Sequence, residues 1–343
     1  MSATPDSNHL VPIEEIEAAR ERLVGRVHRT ALMSSATAAS WVTAATGTRL
    51  AGDRLYLKPE QLQKTGSFKP RGMTNRIATL SDAAKASGVI TLSAGNAGQA
   101  YAWAGRTAGV AVTVAMPAGA VRSKVDACLG YGARVVLHGA HVGETLAELE
   151  RIRDAEGLEF VHPFDDPAVI AGNGSIGLEL LEDVPDLDVV VVGVGGGGLI
   201  SGVAAALKER RPSVRVYGVE PERSNALSLA MEAGEVIRIQ PESVADGLGA
   251  PFAGVWTLAM ARRYLDDVIL LDDPTILAGM RFAIERLKQV LEPAGSAALA
   301  AVLAGRIPIR DGERVAVVLS GGNVEVDRIG ELLAQAGTLP GAG

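Results

Sequence analysis

The chain has 343 residues, of which 48% are hydrophobic and 21% charged, with a net charge of -7. This composition is typical of a globular protein and excludes collagen-like and low-complexity chains. An acidic chain lacks the basic surface that nucleic-acid binding requires, so we expect a small-molecule substrate and no nucleic-acid partner. The length predicts two domains. Forty residues are glycine, well above average usage.

The sequence favours a protein of the cytoplasm that is not bound to a membrane. Residues 1–9 are polar and lack the basic start and apolar run of a signal peptide, and the single cysteine, Cys128, cannot form an internal disulfide. Residues 189–207 carry no charge and could imitate a membrane span. Glycines interrupt this run, which favours a buried strand, a tight turn and a helix instead.

From residue 88 onward, predicted strands and helices alternate along the chain. The strands are predicted at 88–93, 110–116 and 134–137, and the helices at 97–109, 121–130 and 142–155. The pattern resumes after residue 167, with strands beginning at Val189, Arg215 and Arg314. Such alternation predicts parallel sheets covered on both faces. We predict two doubly wound α/β domains, a smaller one at 81–161 and a larger one from 1–80 and 162–343.

One amphipathic helix is predicted in the last third of the chain. Its apolar residues follow one another at intervals of three or four, which is the spacing of one helical face. These residues are Ile276, Met280, Ile284, Leu287 and Leu291. The spacing therefore predicts one continuous helix that reaches Leu291.

The glycine cluster from Gly193 to Gly198 follows a predicted strand and opens a predicted helix. Backbone N–H groups of such a turn can converge on an anion, because no side chain blocks its approach. The cluster also matches the dinucleotide pattern G-x-G-x-x-G, and Glu220 ends the next strand, where that fold places its ribose-binding acid. The consecutive glycines after Gly195 favour a cup for a single phosphate. An NAD-dependent dehydrogenase and a purely structural turn remain alternative interpretations.

Lys69 is the candidate nucleophile. It precedes Pro70, which predicts an extended backbone at Lys69 and a helix beginning at Pro70. The helix dipole disfavours a positive charge at this end, and burial would disfavour it further, so both favour a neutral, nucleophilic amine. The compact turn of residues 65–68 argues against an ordinary surface lysine.

Two further segments end predicted strands. Residues 93–99 can hold a carboxylate on backbone N–H groups, with Asn96 and Gln99 adding hydrogen bonds, although an ordinary helix cap is the alternative. Ser320 follows the strand 315–319 and is either a ligand donor or a cap. The five histidines offer no set of three or four ligands, so we expect no metal site.

Together these segments resemble the pyridoxal-phosphate (PLP) enzymes of the tryptophan-synthase-β fold, or fold type II, in particular the threonine and serine dehydratases and serine racemase. The resemblance extends from about residue 12 to residue 330. It is carried by motifs at 64–72 (KTGSFKPRG), 93–96 (SAGN), 162–172 (HPFDDPAVIAG), 195–198 (GGGG), 245–247 (ADG), 292–293 (EP) and 319–323 (LSGGN).

The resemblance implies PLP as the cofactor, in a cleft between the two domains. Lys69 would form the Schiff base, Phe68 would pack beside the pyridine ring, and Asn96 would bond the 3-hydroxyl oxygen. Ser320 would face the pyridine nitrogen, where a neutral hydroxyl favours prompt elimination over transamination. The phosphate would be held by Gly195, Gly196, Gly197, Gly198 and Leu199. The substrate carboxylate would be held by Ser93, Ala94, Gly95, Asn96 and Ala97.

The implied activity is α,β-elimination of L-threonine or L-serine to a 2-oxo acid and ammonia, by a homodimer. Ala94 replaces the serine that racemases of this kind use as a second acid-base group, so we do not expect efficient racemisation. Ala97 replaces a histidine of many threonine dehydratases, which leaves a bulkier β-hydroxy amino acid as an alternative substrate. The racemase metal site would need Glu220 and an acid near 226, but Ala226 has no carboxylate.

Two other interpretations within this fold stay open. The first is β-replacement, as in cysteine synthase, although the Thr-Ser-Gly-Asn-Thr loop of that subgroup is absent here. The second is a homologue that binds an amino acid without catalysis. In that case Lys69, Asn96 and Ser320 would have no purpose.

Overall fold

The computed structural model describes residues 9–340 of the chain. Most of the polar segment 1–9 therefore lies outside the described residues, and so do residues 341–343 at the end of the larger predicted domain. The strands are β1 (Met33–Ser35), β2 (Leu55–Pro59), β3 (Val89–Leu92), β4 (Val112–Met116), β5 (Arg134–Leu137), β6 (Glu159–Phe160), β7 (Val189–Gly193), β8 (Arg215–Pro221), β9 (Asp267–Leu271) and β10 (Val315–Leu319).

The α-helices alternate with these strands along most of the chain. They are α1 (Ile13–Leu23), α2 (Ala36–Thr46), α3 (Pro70–Ala78), α4 (Asp82–Ser87), α5 (Asn96–Ala108), α6 (Arg122–Gly130), α7 (Val142–Glu156), α8 (Pro167–Asp183), α9 (Gly198–Arg210), α10 (Ala226–Ala233), α11 (Val255–Tyr264), α12 (Asp273–Phe282), α13 (Pro293–Leu303) and α14 (Val326–Ala334).

The strands form two sheets. The larger sheet has the order β1-β2-β10-β7-β8-β9, and all its pairs are parallel except β1 with β2. The smaller sheet has the order β5-β4-β3-β6 and is parallel throughout. Along β7, Val190 and Val192 pack into one hydrophobic core and Val189 and Val191 into another. Burial on both faces explains the uninterrupted valines, and the predicted α/β class is confirmed.

The predicted alternation between residues 88 and 156 is confirmed, with every element boundary within two residues of its prediction. The uncharged stretch 189–207 is β7, a turn and most of α9, as predicted. Within residues 9–340, no helix combines the length and apolar character needed to cross a membrane. Cys128 is fully buried in α6, as its apolar helix face predicts.

The predicted continuous helix up to Leu291 is wrong. The α-helix α12 ends at Phe282, a single π-helical turn follows at Ala283–Leu287, and Lys288 adopts a left-handed conformation with φ 58°. Leu291 is fully buried but lies in the connection beyond this helix. The helix ends at this left-handed residue, and the Gln289 N–H group donates to the Ala283 carbonyl at 3.0 Å, which closes the last turn.

A buried ion network fixes the start of α3. Arg71 forms a two-pronged contact with Glu60 at 2.8 and 2.8 Å and a second one with Glu179 of α8 at 2.7 and 2.9 Å. Lys58 of β2 donates to the same Glu179 at 2.6 Å. The four side chains are at most 6% exposed and carry two positive and two negative charges. The network therefore ties α3 to β2 and α8 with balanced charge.

Removing one carboxylate from this network should destabilise the fold strongly. Glu179→Gln would leave Arg71 and Lys58 with excess positive charge in a buried site, so we expect the free energy of unfolding to fall by about 3 to 5 kcal/mol. The matched control is Glu182→Gln on the same helix, whose carboxylate is 42% exposed and pairs with Arg20 and Arg29.

The control substitution should cost less than about 1 kcal/mol, because exposed ion pairs contribute little. Urea unfolding followed by circular dichroism measures both variants. Equal losses in the two variants would contradict the role given to the network.

Candidate active site

The candidate segments meet at the carboxyl ends of parallel strands. The strands β10 and β7 are neighbours, so Ser320 and the glycine cluster, which follow them, lie at the same edge of the larger sheet. Residues 93–96 follow β3 of the smaller sheet. Ligands of doubly wound sheets bind at this edge, where the backbone N–H groups of the following helices are also found.

Lys69 immediately precedes α3, which begins at Pro70 as predicted. Its backbone is helical, with φ -50° and ψ -38°, so the predicted extended conformation is wrong. The preference of a residue before proline is only a bias, and here hydrogen bonds from Arg71 N–H to the Phe68 carbonyl and from Met73 N–H to the Lys69 carbonyl, each 3.1 Å, hold this turn.

The Lys69 amine donates to the Pro163 carbonyl at 3.1 Å and lies 4.9 Å from the centre of the Phe68 ring. Burial lowers the pKa of Lys69 to about 8, and the nearby negative charge of Glu292 opposes this shift. At neutral pH a larger fraction of this amine is uncharged than of an exposed lysine. The surroundings of Lys69 therefore shift its amine toward the neutral, nucleophilic form.

Residues 162–165 connect Lys69 to the glycine cluster. Pro163 accepts from Lys69, and the ring of the next residue, Phe164, packs on the cluster. A Cβ atom added to Gly196 would lie 2.4 Å from the Phe164 ring. This distance is far below a normal contact, so only glycine permits the observed approach.

The side chains of the first and last residues of this segment hold it in place. Asp165 accepts hydrogen bonds from the N–H groups of Val255 and Thr257 at 3.1 and 3.0 Å and so binds the start of α11. His162 accepts at Nδ1 from Asp165 N–H at 2.8 Å. Burial and the charge of Lys69 lower the pKa of His162 to about 4, so its ring is neutral at physiological pH.

The glycine cluster forms the predicted turn between β7 and α9. The backbone N–H groups of residues 195–199 donate to no acceptor within residues 9–340. These five consecutive donors lie at the positive end of the dipole of α9, a helix that is buried along most of its length. Unpaired N–H groups in such a place fit an anionic group such as phosphate.

Ser320 lies next to Ser67 and Phe68, the two residues that precede Lys69. Its carbonyl accepts from Phe68 N–H at 3.0 Å, and Ser67 and Gly321 form an isolated antiparallel bridge. Ser320 caps no helix, because α14 begins only at Val326. Ser320 is only 6% exposed, and the neighbouring buried hydroxyl of Ser67 has no hydrogen-bond partner within the described residues. The ligand-donor alternative for Ser320 is therefore favoured.

Asn96 begins α5, but its side chain does not cap this helix. It donates to Glu292 Oε1 at 2.6 Å and accepts from Asn323 Nδ2 at 2.8 Å, so the cap alternative is wrong for Asn96. The N–H groups of residues 96–98 have no acceptor within the described range. They can bind a carboxylate, as the sequence predicts.

The structure thus brings the predicted residues together and adds one that sequence reasoning did not assign. Glu292 was noted only as part of a Glu-Pro pair, yet its carboxylate contacts Asn96 and lies close enough to Lys69 for their charges to interact. Glu292 also lines a cavity of about 430 Å³ together with Gln99, Lys124 and Asp246. This cavity lies between helices that cover the two different sheets.

Glu220, the ribose-binding candidate of the dinucleotide hypothesis, is fully buried. Its two oxygens accept from the N–H groups of Leu227 and Ser228 at 2.8 and 2.9 Å, at the start of α10. Burial raises its pKa to about 7. A carboxylate held in this way cannot reach a ribose, so the dinucleotide hypothesis loses its acidic partner. Within residues 9–340 no three His, Cys, Asp or Glu side chains are grouped to hold a metal ion.

Comparisons with known proteins identify one family. The family model described as pyridoxal-phosphate dependent enzyme matches residues 35–321. The chain is 40% identical over 325 residues to the L-threonine ammonia-lyase of Thermotoga maritima, covering 94% of this chain and 78% of that protein. It is 38% identical to the catabolic L-threonine dehydratase TdcB of Escherichia coli, covering 94% and 96%. Its backbone resembles that of maize serine racemase, with a TM-score of 0.87, 34% identity and coverage of 95% and 97%.

A methyl group on Gly196 should disrupt the cluster. In Gly196→Ala the new Cβ would overlap the Phe164 ring, so we expect the free energy of unfolding to fall by about 1 to 3 kcal/mol. Gly330→Ala is the control, because a Cβ at this exposed position of α14 meets no atom within 4 Å. The control should be neutral or slightly stabilising, since alanine is the better helix former. Denaturant midpoints measure both, and an unchanged Gly196→Ala midpoint would contradict the packing argument.

Proposed function

Because the chain belongs to the pyridoxal-phosphate dependent enzyme family, we propose that it converts L-threonine, and L-serine as a second substrate, to a 2-oxo acid and ammonia. One observation carries the proposal. The buried Lys69 amine, whose pKa is lowered to about 8, donates to the Pro163 carbonyl, and the next residue, Phe164, packs on the turn that presents five unpaired N–H groups at a helix start. An aldehyde that carries a phosphate group needs an amine nucleophile for the aldehyde and a nearby turn of free N–H groups for the phosphate, and this site offers both.

The residues present fit PLP. We propose that Lys69 binds its carbonyl carbon, that residues 195–199 hold its phosphate on backbone N–H groups, and that Phe68 packs beside its ring. Asn96 would donate to its 3-oxygen and Ser320 would face its ring nitrogen. The cofactor supplies an electron sink for the bond broken at the substrate α-carbon.

The chain's own groups would then orient the substrate and move its proton. The N–H groups at the start of α5, within the segment Ser93, Ala94, Gly95, Asn96 and Ala97, would hold the substrate carboxylate. The Lys69 Nζ atom would accept the α-proton, because an amine with a pKa of about 8 is a usable base at neutral pH. Ala94 offers no hydroxyl as a second acid-base group, which favours elimination over racemisation.

The choice of substrate rests on the relatives and on the cavity. The two curated relatives are named for L-threonine, and they match nearly the whole chain. The cavity of about 430 Å³ also favours a second candidate, a β-hydroxy amino acid with a larger side chain.

The function is tested by replacing Lys69. We expect the purified protein to show the visible absorbance of bound PLP and to release a 2-oxo acid from L-threonine. Lys69→Ala should lose the band and slow turnover by at least about 1000-fold, because one residue supplies both the attachment and the base. Lys85→Ala, a lysine of α4 outside the site, is the control and should retain both.

Several β-hydroxy amino acids of increasing size are compared in the same assay of 2-oxo acid release. Preference for a substrate larger than threonine would favour the second candidate. A Lys69→Ala enzyme that keeps its visible band and its turnover would refute both candidates.

We also propose that residues 81–161 form the smaller domain and residues 1–80 and 162–343 the larger one. All strands of the smaller sheet fall within the first range, which supports this division. The cleft between the two would hold the cofactor. We further propose a cytoplasmic location, since the single cysteine, Cys128, is a free and buried thiol.

We propose in addition that the enzyme is a homodimer, through a face that contains Leu62 and Val290. These side chains are 58% and 53% exposed, and a hydrogen bond of 2.9 Å between Gln61 and Gln289 joins their segments. The substitution Leu62→Glu would place a carboxylate on this face of each subunit, and the two carboxylates would repel each other across a twofold interface. We therefore expect this variant to sediment as a monomer in a sedimentation-velocity experiment. Val142→Glu, at an exposed valine of α7, should sediment like the wild type. A wild-type monomer, or a Leu62→Glu dimer, would contradict this interface.

A further inference from the structure

Glu292 is the last residue before α13 and is only 4% exposed. Its Oε1 atom accepts from Asn96 Nδ2 at 2.6 Å. The carboxylate is surrounded closely, because a Cβ atom on Gly321 would lie 2.2 Å from the same oxygen. Glycine at 321 is therefore what lets the chain after β10 pass this carboxylate.

The contact with Glu292 is the first of a chain of three hydrogen bonds. Asn96 Oδ1 accepts from Asn323 Nδ2 at 2.8 Å, and Asn323 Nδ2 also donates to the Thr65 carbonyl at 2.8 Å. Thr65 lies four residues before Lys69 and has a left-handed backbone, with φ 60°. The chain of bonds thus runs from α13 through α5 to the turn that carries the lysine.

Glu292 and Asn323 hold the Asn96 amide from its two ends. The Asn323 NH₂ group can only donate, so it meets the amide oxygen of Asn96 and leaves the Asn96 NH₂ group to face Glu292. An ionised carboxylate accepts one hydrogen of this group in a charge-assisted bond and leaves the other for another acceptor. A protonated carboxyl accepts more weakly and carries a hydrogen of its own. The amide is therefore held firmly at both ends only when Glu292 is ionised.

We propose that Glu292 is a positioning residue that orients the Asn96 amide, so that its second N–H donates to the 3-oxygen of PLP. This inference rests on the proposed function, which assigns Asn96 to that oxygen. It gives the site a switch: with Glu292 ionised the amide is held firmly by both Glu292 and Asn323, and with Glu292 protonated it is held firmly by Asn323 alone.

The charges around Glu292 place this switch in a useful pH range. Burial raises the pKa of Glu292 to about 7, and the negative charge of Asp246 raises it as well. The hydrogen bond from Asn96 lowers it, and so do the positive charges of Lys124 and Lys69. Lys124 of α6 also forms an ion pair with Asp246. Glu292 is thus mostly ionised above about pH 7 and mostly protonated below it, so the amide is held firmly at both ends on the alkaline side.

The first test removes the titrating group and keeps its shape. In wild-type holoenzyme we expect the visible band to change with an inflection near pH 7, and the PLP dissociation constant of the apo protein to rise about tenfold below it, the factor expected for one hydrogen bond. Glu292→Gln keeps an acceptor for Asn96 but cannot ionise. Both the inflection and the pH dependence of PLP binding should disappear in this variant.

The second test moves the inflection without touching Glu292. Asp246→Asn removes a negative neighbour and should lower the apparent pKa of the band, whereas Lys124→Gln removes a positive neighbour and should raise it, each by about half a pH unit. Both variants break the same ion pair, so an effect of that lost pair alone would shift them in the same direction.

An inflection that survives in Glu292→Gln, or shifts of equal sign in the other two variants, would overturn the inference. These outcomes are distinct from failure of the proposed function, in which the wild-type protein itself would show no visible band and no 2-oxo acid release.

Discussion

Arg71 lies two residues after Lys69 and forms ion pairs with the carboxylates of Glu60 and Glu179, which have almost no contact with solvent. Charges buried in this way are costly unless every partner is present, so the network tolerates little displacement of the helix that carries Arg71. Because α3 begins at Pro70, fixing Arg71 also fixes the backbone at Lys69. The reactive amine thus depends for its position on four charged groups, none of which is itself the nucleophile.

Segment 162–165 supplies the second constraint, and it acts on charge as well as position. His162 stays neutral beside Lys69, and the two positive and two negative charges of the Arg71 network balance one another. Lys69 is therefore buried with few compensating charges, and this is why its pKa falls. The same low-dielectric surroundings raise the pKa of Glu292, so acid and amine titrate much closer together than in water.

Sequence patterns predicted the structure best where the structure depends on neighbouring residues along the chain. The glycine turn after β7, the Pro70 start of α3 and the alternation of residues 88–156 follow from propensities of neighbouring residues, and all are confirmed. Strands β1, β2, β6 and β9 were not predicted. Of these, β1 and β6, of three and two residues, are too short to show a usable alternation. The helical backbone of Lys69 was missed because hydrogen bonds of its own turn override the bias of a residue before proline. The helix end before Leu291 was missed because apolar spacing does not report a left-handed residue such as Lys288. The contact between Asn96 and Glu292 joins residues 196 positions apart, which no local pattern reports.

The excess of glycine, which sequence analysis connects with anion binding, has a second physical cause in this fold. At Gly196 the missing side chain admits the Phe164 ring, and at Gly321 it admits the Glu292 carboxylate. In both places a side chain from a distant segment packs directly on backbone, and in both places that side chain belongs to the wall of the site. The glycines therefore do more than expose N–H groups to a phosphate. They let the residues that set the charge and shape of the cleft approach the strand ends on which it is built.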